Sequence, residues 1–357
     1  MMTKRTVYIL SLLFITLGSS LNAQNFNISN ERTFSNLFNK HIDTTSNFHT
    51  SIRPFSKKEI PAFKTIIESY KTEKDDFIRN KNLLNTSTEK FSLSINPIVN
   101  LGHTLERNEL LNDHLTEASF GINIKTSLVK KWSSQLILLS DHSKYPSHIN
   151  TQIKEKQISP GYGYSKNNKA LAAQADVTFT ADEHFTFQLG YGKNFIGDGY
   201  RSLFLSDNAN SSPYLKITAN IWKIKYMALY SNYQDIRFSE GRVNDYSQKL
   251  STVHYLSLNV TKWWNIGLFE SIIWQAQEGE FYRGYDINYF NPIILLRPTE
   301  YSQGSSDNAL LGASMKFKIK KKNMIYTQLV LDEFLLGELK SGNGWWANKY
   351  GIQVGLK

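Results

Sequence analysis

From Phe91 onward, apolar and polar residues alternate with a period of two, and this pattern constrains the fold more than any other feature. The clearest segments are 91–96, 120–125, 176–180, 185–192, 215–221 and 312–319. Each places apolar side chains on one face of a strand and polar, often charged, side chains on the other. Strands with lipid outside and a wet lumen inside have this pattern. A soluble β-sandwich alternates in the same way, so the period alone leaves both folds open.

The links between the roughly twelve predicted strands favour a membrane barrel, because short and long links alternate. The short links fall at 130–132, 181–184, 222–223, 262–264 and 320–323, and the long ones at about 103–114, 142–169, 194–211, 234–249, 278–306 and 335–345. Four of the seven tryptophans lie at short links, namely Trp132, Trp222, Trp263 and Trp264. Such a level of amphipathic rings is typical of a membrane interface. The sequence therefore predicts an all-β fold, a transmembrane antiparallel β-barrel of the outer-membrane type.

The first 23 residues predict export through a cleaved signal peptide. Lys4 and Arg5 precede an apolar run at 7–17, and the small residue Ala23 ends the segment. The apolar run is shorter than the roughly 20 residues that a membrane helix needs. No Cys follows the run, so a lipoprotein is not expected. We expect the mature chain to reside in the cell outer membrane.

Residues 24–89 are polar and carry one helical signal. Ser56 and Glu59 have capping-box spacing. The apolar residues that follow, Phe63, Ile66, Ile67 and Tyr70, fall on one helical face. The segment is either a solvated arm or a small helical element in the periplasm. The predicted organisation is a signal peptide at 1–23, a periplasmic N-terminal segment at 24–89 and an outer-membrane barrel at 90–357.

Charge and composition narrow the range of partners. The formal net charge is +10, and removal of Lys4 and Arg5 leaves 10 − 2 = +8. For an exported protein, anionic polysaccharide or glycolipid is the natural partner of such a charge. The basic residues are spread over many turns, so no nucleic-acid partner is expected. The chain has no Cys and no His cluster with metal spacing, so we expect no cofactor and no metal.

The densest motif is 190–208, GYGKNFIGDGYRSLFLSDN, with four glycines. A phosphate-binding loop would continue with Gly-Lys-Ser/Thr into a helix, and neither feature follows. Glycines allow positive φ and close backbone approach, which suits a loop that folds back and plugs the barrel mouth. Direct ligand contact is the other interpretation. The candidate residues are Gly197, Asp198, Gly199, Tyr200, Arg201, Asp207 and Asn208.

Two further loops combine aromatic with polar residues. The candidates are Tyr282, Arg283, Tyr285 and Asp286 in loop 278–306, and Trp345 and Trp346 at the end of loop 335–345. Aromatic faces stack on sugar rings, while Arg and Asp side chains bond hydroxyl or carboxylate groups. These features fit polysaccharide binding. An outer aromatic girdle with ordinary loop packing remains the alternative.

The 190–217 sequence, GYGKNFIGDGYRSLFLSDNANSSPYLKI, resembles the signature region of Wzi-type capsule-assembly proteins, and most of all their RemB-like Bacteroidetes branch. The stretches DINYFNPIILLR at 286–297 and GWWANKYGIQVGLK at 344–357 also resemble that branch. The resemblance covers about 90–357 and is specific only at 190–208. It implies a monomeric outer-membrane barrel with a small periplasmic helical element and a lumen blocked by inward loops.

The resemblance also implies a function. Such a protein holds polysaccharide at the cell surface and does not export it, and the RemB-like branch takes part in gliding motility. Motility or surface-assembly proteins would then be partners. Family barrels have more strands than the pattern contains, and the sequence stops at Leu356-Lys357 without a terminal aromatic residue. We therefore expect a barrel that is incomplete at the C-terminus.

The leading hypothesis is a non-enzymatic outer-membrane protein that anchors or organises anionic surface or capsular polysaccharide, with outer-membrane lipids around it. The alternative is a diffusion porin or small-solute channel, which the polar lumen faces alone would support. A hydrolase is a third hypothesis, with Asp141-His142 and Asp332-Glu333 at outer strand ends. Adjacent residues of a strand point to opposite faces, so neither pair can act as a unit.

Overall fold

A computed structural model gives the fold. It describes residues 26–28, 30, 35, 38–39, 41–43, 45–60, 63–69, 82–107, 112–129, 131–156, 158–159, 163–166, 169–235, 239, 242–295, 307–319, 323–332, 340–342 and 349–357. The signal peptide expected at 1–23 lies outside these residues. In the described part of the chain, no helix is long and apolar enough to cross a membrane.

The protein is an all-β structure with few helices. The strands are β1 (Ile52–Arg53), β2 (Leu84–Ser87), β3 (Phe91–Arg107), β4 (Asn112–Leu128), β5 (Trp132–Ser143), β6 (Ile158–Ser159), β7 (Gly163–Lys166), β8 (Lys169–Thr180), β9 (Phe185–Gly192), β10 (Phe195–Ile196), β11 (Ser212–Ile221), β12 (Ile224–Asp235), β13 (Ser247–Asn259), β14 (Trp264–Gln275), β15 (Gln277–Glu278), β16 (Phe281–Tyr282), β17 (Asn308–Ile319), β18 (Asn323–Asp332) and β19 (Lys349–Leu356). The helices are α1 (Phe63–Ser69) and α2 (Ser147–Lys156), with 3₁₀ turns at Val243–Asp245 and Ile287–Phe290.

One large antiparallel sheet dominates the fold. Its strand order is β19-β18-β17-β14-β13-β12-β11-β9-β8-β5-β4-β3-β2, so each long strand pairs with the long strands before and after it in the chain. This up-and-down order is barrel-like. Within the described residues the edge strands β2 and β19 do not pair with each other. The sheet begins at β2, before the boundary at residue 90 that the sequence predicted.

The two faces of the sheet have opposite chemistry. Lys216 and Gln188 are directly opposite in the ladder and share the inner face, while Ile217 and Phe187 share the outer face. Exposed apolar side chains cover the outer face, among them Val99, Phe120, Leu138, Leu189, Leu329, Ile352 and Val354. Ser, Thr, Asn, Gln and Lys side chains occupy the inner face, and many of them are buried. The predicted all-β fold with one apolar and one polar face is confirmed.

The links follow the predicted alternation, with one exception. Short turns join β4 to β5, β8 to β9, β11 to β12 and β13 to β14, and outward rings such as Trp132 on Phe179 pack near them. The long link predicted at 103–114 is wrong, because β3 and β4 stay paired out to Arg107 opposite Asn112. His103 and Thr104 point to opposite faces there and both are exposed, so the period-two signal is lost although the strands continue.

The N-terminal segment packs on the inner face of the sheet. Ile52 joins a core with Ile196, Met227 and Tyr255 of the sheet and its loop. A second small core, made of Ile28, Phe38, Ile42, Phe55, Ile60 and Ile66, holds the segment together. The expected helix is present as α1, and the Ser56 N–H donates to the Glu59 carboxylate at 2.9 Å, as the capping-box spacing predicted.

Candidate functional site

The Gly-rich loop between β9 and β11 folds onto the inner face, where it meets the N-terminal segment. β10 of this loop pairs antiparallel with β1, which sets Ile196 opposite Ile52. Ile196 is fully buried, and Phe204 stacks on Phe269 of β14 with ring centroids 4.5 Å apart. The apolar residues of the motif therefore anchor the loop to the sheet, and its polar residues are held between them.

Asp198 is the centre of a buried polar cluster. Its carboxylate accepts hydrogen bonds from the hydroxyls of Thr50 and Ser51, the latter at 2.7 Å. The Lys316 ammonium lies 3.3 Å from the same carboxylate and also bonds Thr50. Burial raises the pKa of Asp198, but the ammonium and the two hydroxyls outweigh burial and bring this pKa to about 2. The cluster joins the Gly-rich loop, the N-terminal segment and β17 through one carboxylate.

Gly197 and Gly199 flank this carboxylate, and both are glycine because space is short. A Cβ on Gly199 would lie 2.5 Å from the Tyr326 hydroxyl, and one on Gly197 would lie 2.9 Å from the Ser202 Oγ. Gly199 is not among the residues with positive φ. The glycine at 199 is thus required by close approach of the backbone to a ring, and not by conformational freedom.

The next residues of the motif, Tyr200 and Arg201, are exposed to solvent. Tyr200 is 60% exposed, and the Arg201 guanidinium carbon lies 5.4 Å from the centroid of its ring. Asp207 is half-buried, and Asn208 is exposed with its N–H 3.3 Å from the Ser206 Oγ. The motif therefore combines a buried anchor at 197–199 with an exposed aromatic and cationic pair at 200–201.

A second set of polar contacts fixes the N-terminal segment to β12 and β13. The buried Lys225 ammonium forms an ion pair with Glu59, which lowers the pKa of that carboxyl although burial raises it. The His49 ring bonds the Ser257 Oγ at 2.8 Å and the Asn259 amide at 3.0 Å. Burial, with the charges of neighbouring lysines, lowers the pKa of His49 from 6.5 to about 3. His49 is therefore a neutral side chain on the inner face of the sheet.

Among the residues that the structure describes, the inner face contains two cavities with mixed polar and apolar linings. One of about 410 Å³ is lined by Phe26, Asn27, Ile28, Lys57, Phe63, Asn82, Asn85, Ser92, Leu93, Ser94, Asn123, Lys125, Gln135 and Ile137. Its cations lie over aromatic rings, with the Lys57 Nζ 5.7 Å from the Phe63 centroid. The other, of about 290 Å³, lies near the turn at 181–184 and includes Glu59, Lys216 and Lys225. The first lies near the lower end of the range of about 300–1,000 Å³ that is typical of ligand pockets, and the second lies just below it.

Two candidate residues of loop 278–306, Arg283 and Asp286, form an ion-pair cluster with Asp307, which directly precedes β17. Arg283 pairs with Asp307 at 2.7 Å and with Asp286 at 3.0 Å. The hydrogen bond that the guanidinium donates to the Asp307 carboxylate raises the pKa of Arg283. Burial raises the pKa of Asp286, but the Asn288 N–H and Arg283 outweigh burial and lower it. Tyr282, by contrast, is 67% exposed and is the part of this group that faces solvent.

Tyr285 packs on the outer face of the sheet. Its ring meets Trp274 edge-on at 5.1 Å, and its hydroxyl donates to the Ser251 carbonyl at 2.7 Å. Trp274 is an outward residue of β14, whereas Phe269 of the same strand faces inward to Phe204. The 197–199 motif and the 283–286 cluster therefore lie on opposite faces of the sheet and do not form one site.

The remaining candidates from the sequence include the tryptophan pair Trp345 and Trp346 and the pair Asp141 and His142. Trp345 and Trp346 lie outside the described residues. Asp141 is buried and accepts hydrogen bonds from Ser119, Ser143 and Tyr145, while His142 is exposed. In the described part of the chain, no group of three or more His, Asp or Glu residues could hold a metal ion.

Sequence reasoning missed the interior partners of the motif. None of these partners belongs to a motif, and each contacts a residue that is distant in the sequence. They are Thr50, His49, Lys225 and Lys316. The available signal was lysine at inward positions of strands, as at Lys216 and Lys316. A buried lysine requires a partner, so these positions could have indicated that a segment carrying acids covers the inner face.

Comparison with known proteins gives no family. No family model matches the sequence, and no curated protein matches it. The Wzi-type resemblance therefore rests on the motifs quoted above.

Proposed function

We propose that this protein is an outer-membrane protein that anchors or organises surface polysaccharide, in the manner of the Wzi-type family and its RemB-like branch. The outer face of the sheet is apolar over many strands and the inner face is polar, which is the pattern of a lipid-embedded wall. The short turns lie at one end together with outward aromatic rings, which suits an interface level.

The observation that carries the choice of function is the filled inner face. The N-terminal segment and the Gly-rich loop cover it, and the Asp198–Lys316 and Glu59–Lys225 ion pairs hold them there. A diffusion porin needs a water-filled lumen. A covered inner face favours an anchoring protein, which needs a rigid wall and exposed ligand contacts instead.

The exposed part of the motif supplies chemistry for an anionic glycan. Tyr200 and Tyr282 present aromatic faces that could stack on sugar rings, and Arg201 offers a planar fork of donors to carboxylates. The net charge of 10 − 2 = +8 that remains without Lys4 and Arg5 favours the approach of an acidic polymer. The ligand class that fits is a carboxylated or otherwise anionic surface polysaccharide.

The test separates anchoring from transport. Arg201→Ala and Tyr282→Ala should each shift polysaccharide from the cell-associated to the shed fraction without changing the amount of protein in the outer membrane. Arg242→Ala is the matched control, because Arg242 is an exposed loop arginine that pairs with Asp245. The protein in planar bilayers should give no large steady current. Unchanged retention in both variants, or a steady open channel in the intact protein, would remove the anchoring proposal.

A further inference from the structure

Residues 284–295, called the strap here, lie across the outer face of the sheet over β12, β13 and β14. Tyr289 packs on Trp274 with ring centroids 4.8 Å apart, and Phe290 stacks on Tyr230 at 4.7 Å. Leu250 and Ile272 complete this cluster, and both are outward residues of the sheet. The strap therefore covers part of the apolar outer face of the sheet, called the wall here.

Outward side chains of the wall bind the backbone of the strap. The donors to strap carbonyls are Trp274 Nε1 to Gly284 at 3.0 Å, Thr252 Oγ1 to Tyr289 at 3.0 Å, Tyr230 OH to Phe290 at 3.1 Å and Tyr226 OH to Pro292 at 2.5 Å. The Glu270 carboxylate accepts the Leu295 N–H at 2.8 Å. Irregular backbone needs such partners wherever water cannot supply them.

Two ionisable residues lie under the strap. His254 and Glu270 are opposite each other in the ladder and face outward, yet they are only 3% and 2% exposed. The His254 ring bonds the Tyr226 hydroxyl at 2.5 Å. Ionisable groups on an otherwise apolar wall require a cover and a partner, and the strap with Tyr226 supplies both.

The side chains of the strap that face away from the wall are mostly apolar, and Asn288 is the exposed polar residue among them. Ile287 is 82% exposed, Ile293 57%, Leu295 53% and Phe290 42%. These side chains continue the apolar surface of the neighbouring strands, where Leu268 and Leu329 are exposed. A loop in water would expose polar side chains at these positions and leave its carbonyls to the solvent.

We infer that the strap lies within the lipid layer, with lipid acyl chains as the partner of its exposed apolar side. This inference rests on the outer-membrane location proposed above. The wall then has polar outward residues at Tyr226, Tyr230, Thr252 and Glu270 because they hydrogen-bond an irregular backbone that water does not reach. The apolar side of the strap replaces the lipid-facing surface that it covers.

Site-directed spin labelling of the membrane-inserted full chain tests the inference directly. The chain has no Cys, so Ile287→Cys gives a single labelled site on an exposed side chain. Collision rates are measured with oxygen, which concentrates in lipid, and with a water-soluble nickel chelate. Leu329→Cys reports the wall away from the strap, and Gln152→Cys in α2 reports a long loop.

If the strap lies in lipid, the collision rate with oxygen should exceed that with the nickel chelate severalfold at Ile287→Cys, as at Leu329→Cys. At Gln152→Cys the collision rate with the nickel chelate should be the higher one. Nickel access at Ile287→Cys with lipid access at Leu329→Cys would overturn the strap inference alone. Low access to both reagents at Ile287→Cys would mean that a protein covers the strap, which also overturns it. Nickel access at Leu329→Cys would instead overturn the membrane location.

A second pair of variants tests the role of the wall hydroxyls. Tyr230→Phe and Thr252→Val each leave a strap carbonyl without its donor while keeping the side-chain shape. In lipid the strap should detach, which raises nickel access at Ile287→Cys severalfold. Tyr350→Phe is the control, because Tyr350 is outward and 68% exposed on β19. No change in either variant contradicts the inference, because water would then be supplying the lost hydrogen bond.

Discussion

At the scale of single residues, the interior of this protein is organised by ion pairs between distant parts of the chain. In each pair the acid comes from a segment that covers the sheet, and the lysine comes from a strand. Asp198 with Lys316 and Glu59 with Lys225 are examples. A buried pair adds little net stability, but removal of one partner leaves an uncompensated charge. These pairs therefore specify where the covering segments dock.

Asp198→Asn should destabilise the protein strongly, because the Lys316 charge would remain buried without its partner. The expected loss in the free energy of unfolding is roughly 3–5 kcal/mol. The double variant Asp198→Asn/Lys316→Met should recover part of this loss. Unfolding midpoints in urea for the detergent-folded protein measure both. Asp245→Asn breaks an exposed pair and should cost less than about 1 kcal/mol. Equal losses at the two sites would contradict the buried-pair account.

Acid should weaken the interior through His49. Its pKa is about 3 in the folded protein and 6.5 in the reference state, so below 6.5 the unfolded chain binds a proton that the folded chain does not. Stability is therefore complete above 6.5 and falls as the pH decreases toward 3. His49→Gln should flatten the pH dependence of the unfolding midpoint. A profile for His49→Gln that falls as steeply as that of the unaltered protein would refute this role.

Gly199→Val should displace the Gly-rich loop, because the new side chain would overlap the Tyr326 ring. The strands are untouched, so insertion and heat-modifiable migration should persist. Protease sensitivity of the loop in intact cells should rise, and polysaccharide retention should fall. Removal of the ring in Gly199→Val/Tyr326→Ser should restore part of the protection. Protection that stays lost in the double variant would mean that the ring contact is not the cause.

At the scale of elements, the side chains of each strand alternate between the outer and the inner face of the sheet. In β11, Ile217 faces outward and its neighbour Thr218 faces inward, where it lines a polar cavity. Not every inward position is open, because Ser257 is fully buried beneath the N-terminal segment. Tolerance to charge therefore depends on the face and also on what covers it.

Ile217→Arg should cost about 2–4 kcal/mol of folding free energy if the outer face meets the bilayer midplane, while Thr218→Arg should cost much less. The reason is that the first charge enters lipid and the second enters a wet cavity. Folding midpoints in lipid vesicles, read by heat-modifiable gel shift, compare the two neighbours on one strand. Similar costs for both variants would count against a lipid-facing wall.

At the scale of the whole molecule, the up-and-down order places the short turns after β4, β8, β11 and β13 at one end. The long links lie at the other end, together with the short link between β3 and β4. The covered inner face and the apolar outer face then define a wall with two distinct ends. The strap is the exception, because it starts among the long links and lies along the wall instead of projecting from it.

Labelling of intact cells should distinguish the two ends. A membrane-impermeant maleimide should modify Gln152→Cys in the long link between β5 and β8, and it should not modify Lys223→Cys in the turn between β11 and β12. The physical reason is that the reagent does not cross the outer membrane to the short turns. Permeabilised cells, in which both sites should react, provide the control. Modification of Lys223→Cys alone in intact cells would reverse the orientation.

The sequence by itself determined the strands, the faces and most of the turns. Side-chain alternation, tight turns and tryptophans at strand ends are local properties, so a residue such as Ile217 could be assigned to the outer face from its neighbours. The helix at Phe63–Ser69 could likewise be predicted from the spacing of its apolar residues. The sequence also selected the Gly-rich motif; of the two reasons it offered for the glycines, close backbone approach applies at Gly199 and positive φ does not.

Only the tertiary structure decided what covers the two faces. Lys316 meets Asp198 across 118 positions of sequence, and Lys225 meets Glu59 across 166. A lysine at an inward position indicates a polar environment but does not name its partner, because the partner depends on how distant segments pack. The position of the strap on the outer face could not be predicted from the sequence for the same reason. Its aromatic residues suit sugar rings and an apolar wall equally well, and the choice between them follows from which outward hydroxyls lie within hydrogen-bond reach of its backbone.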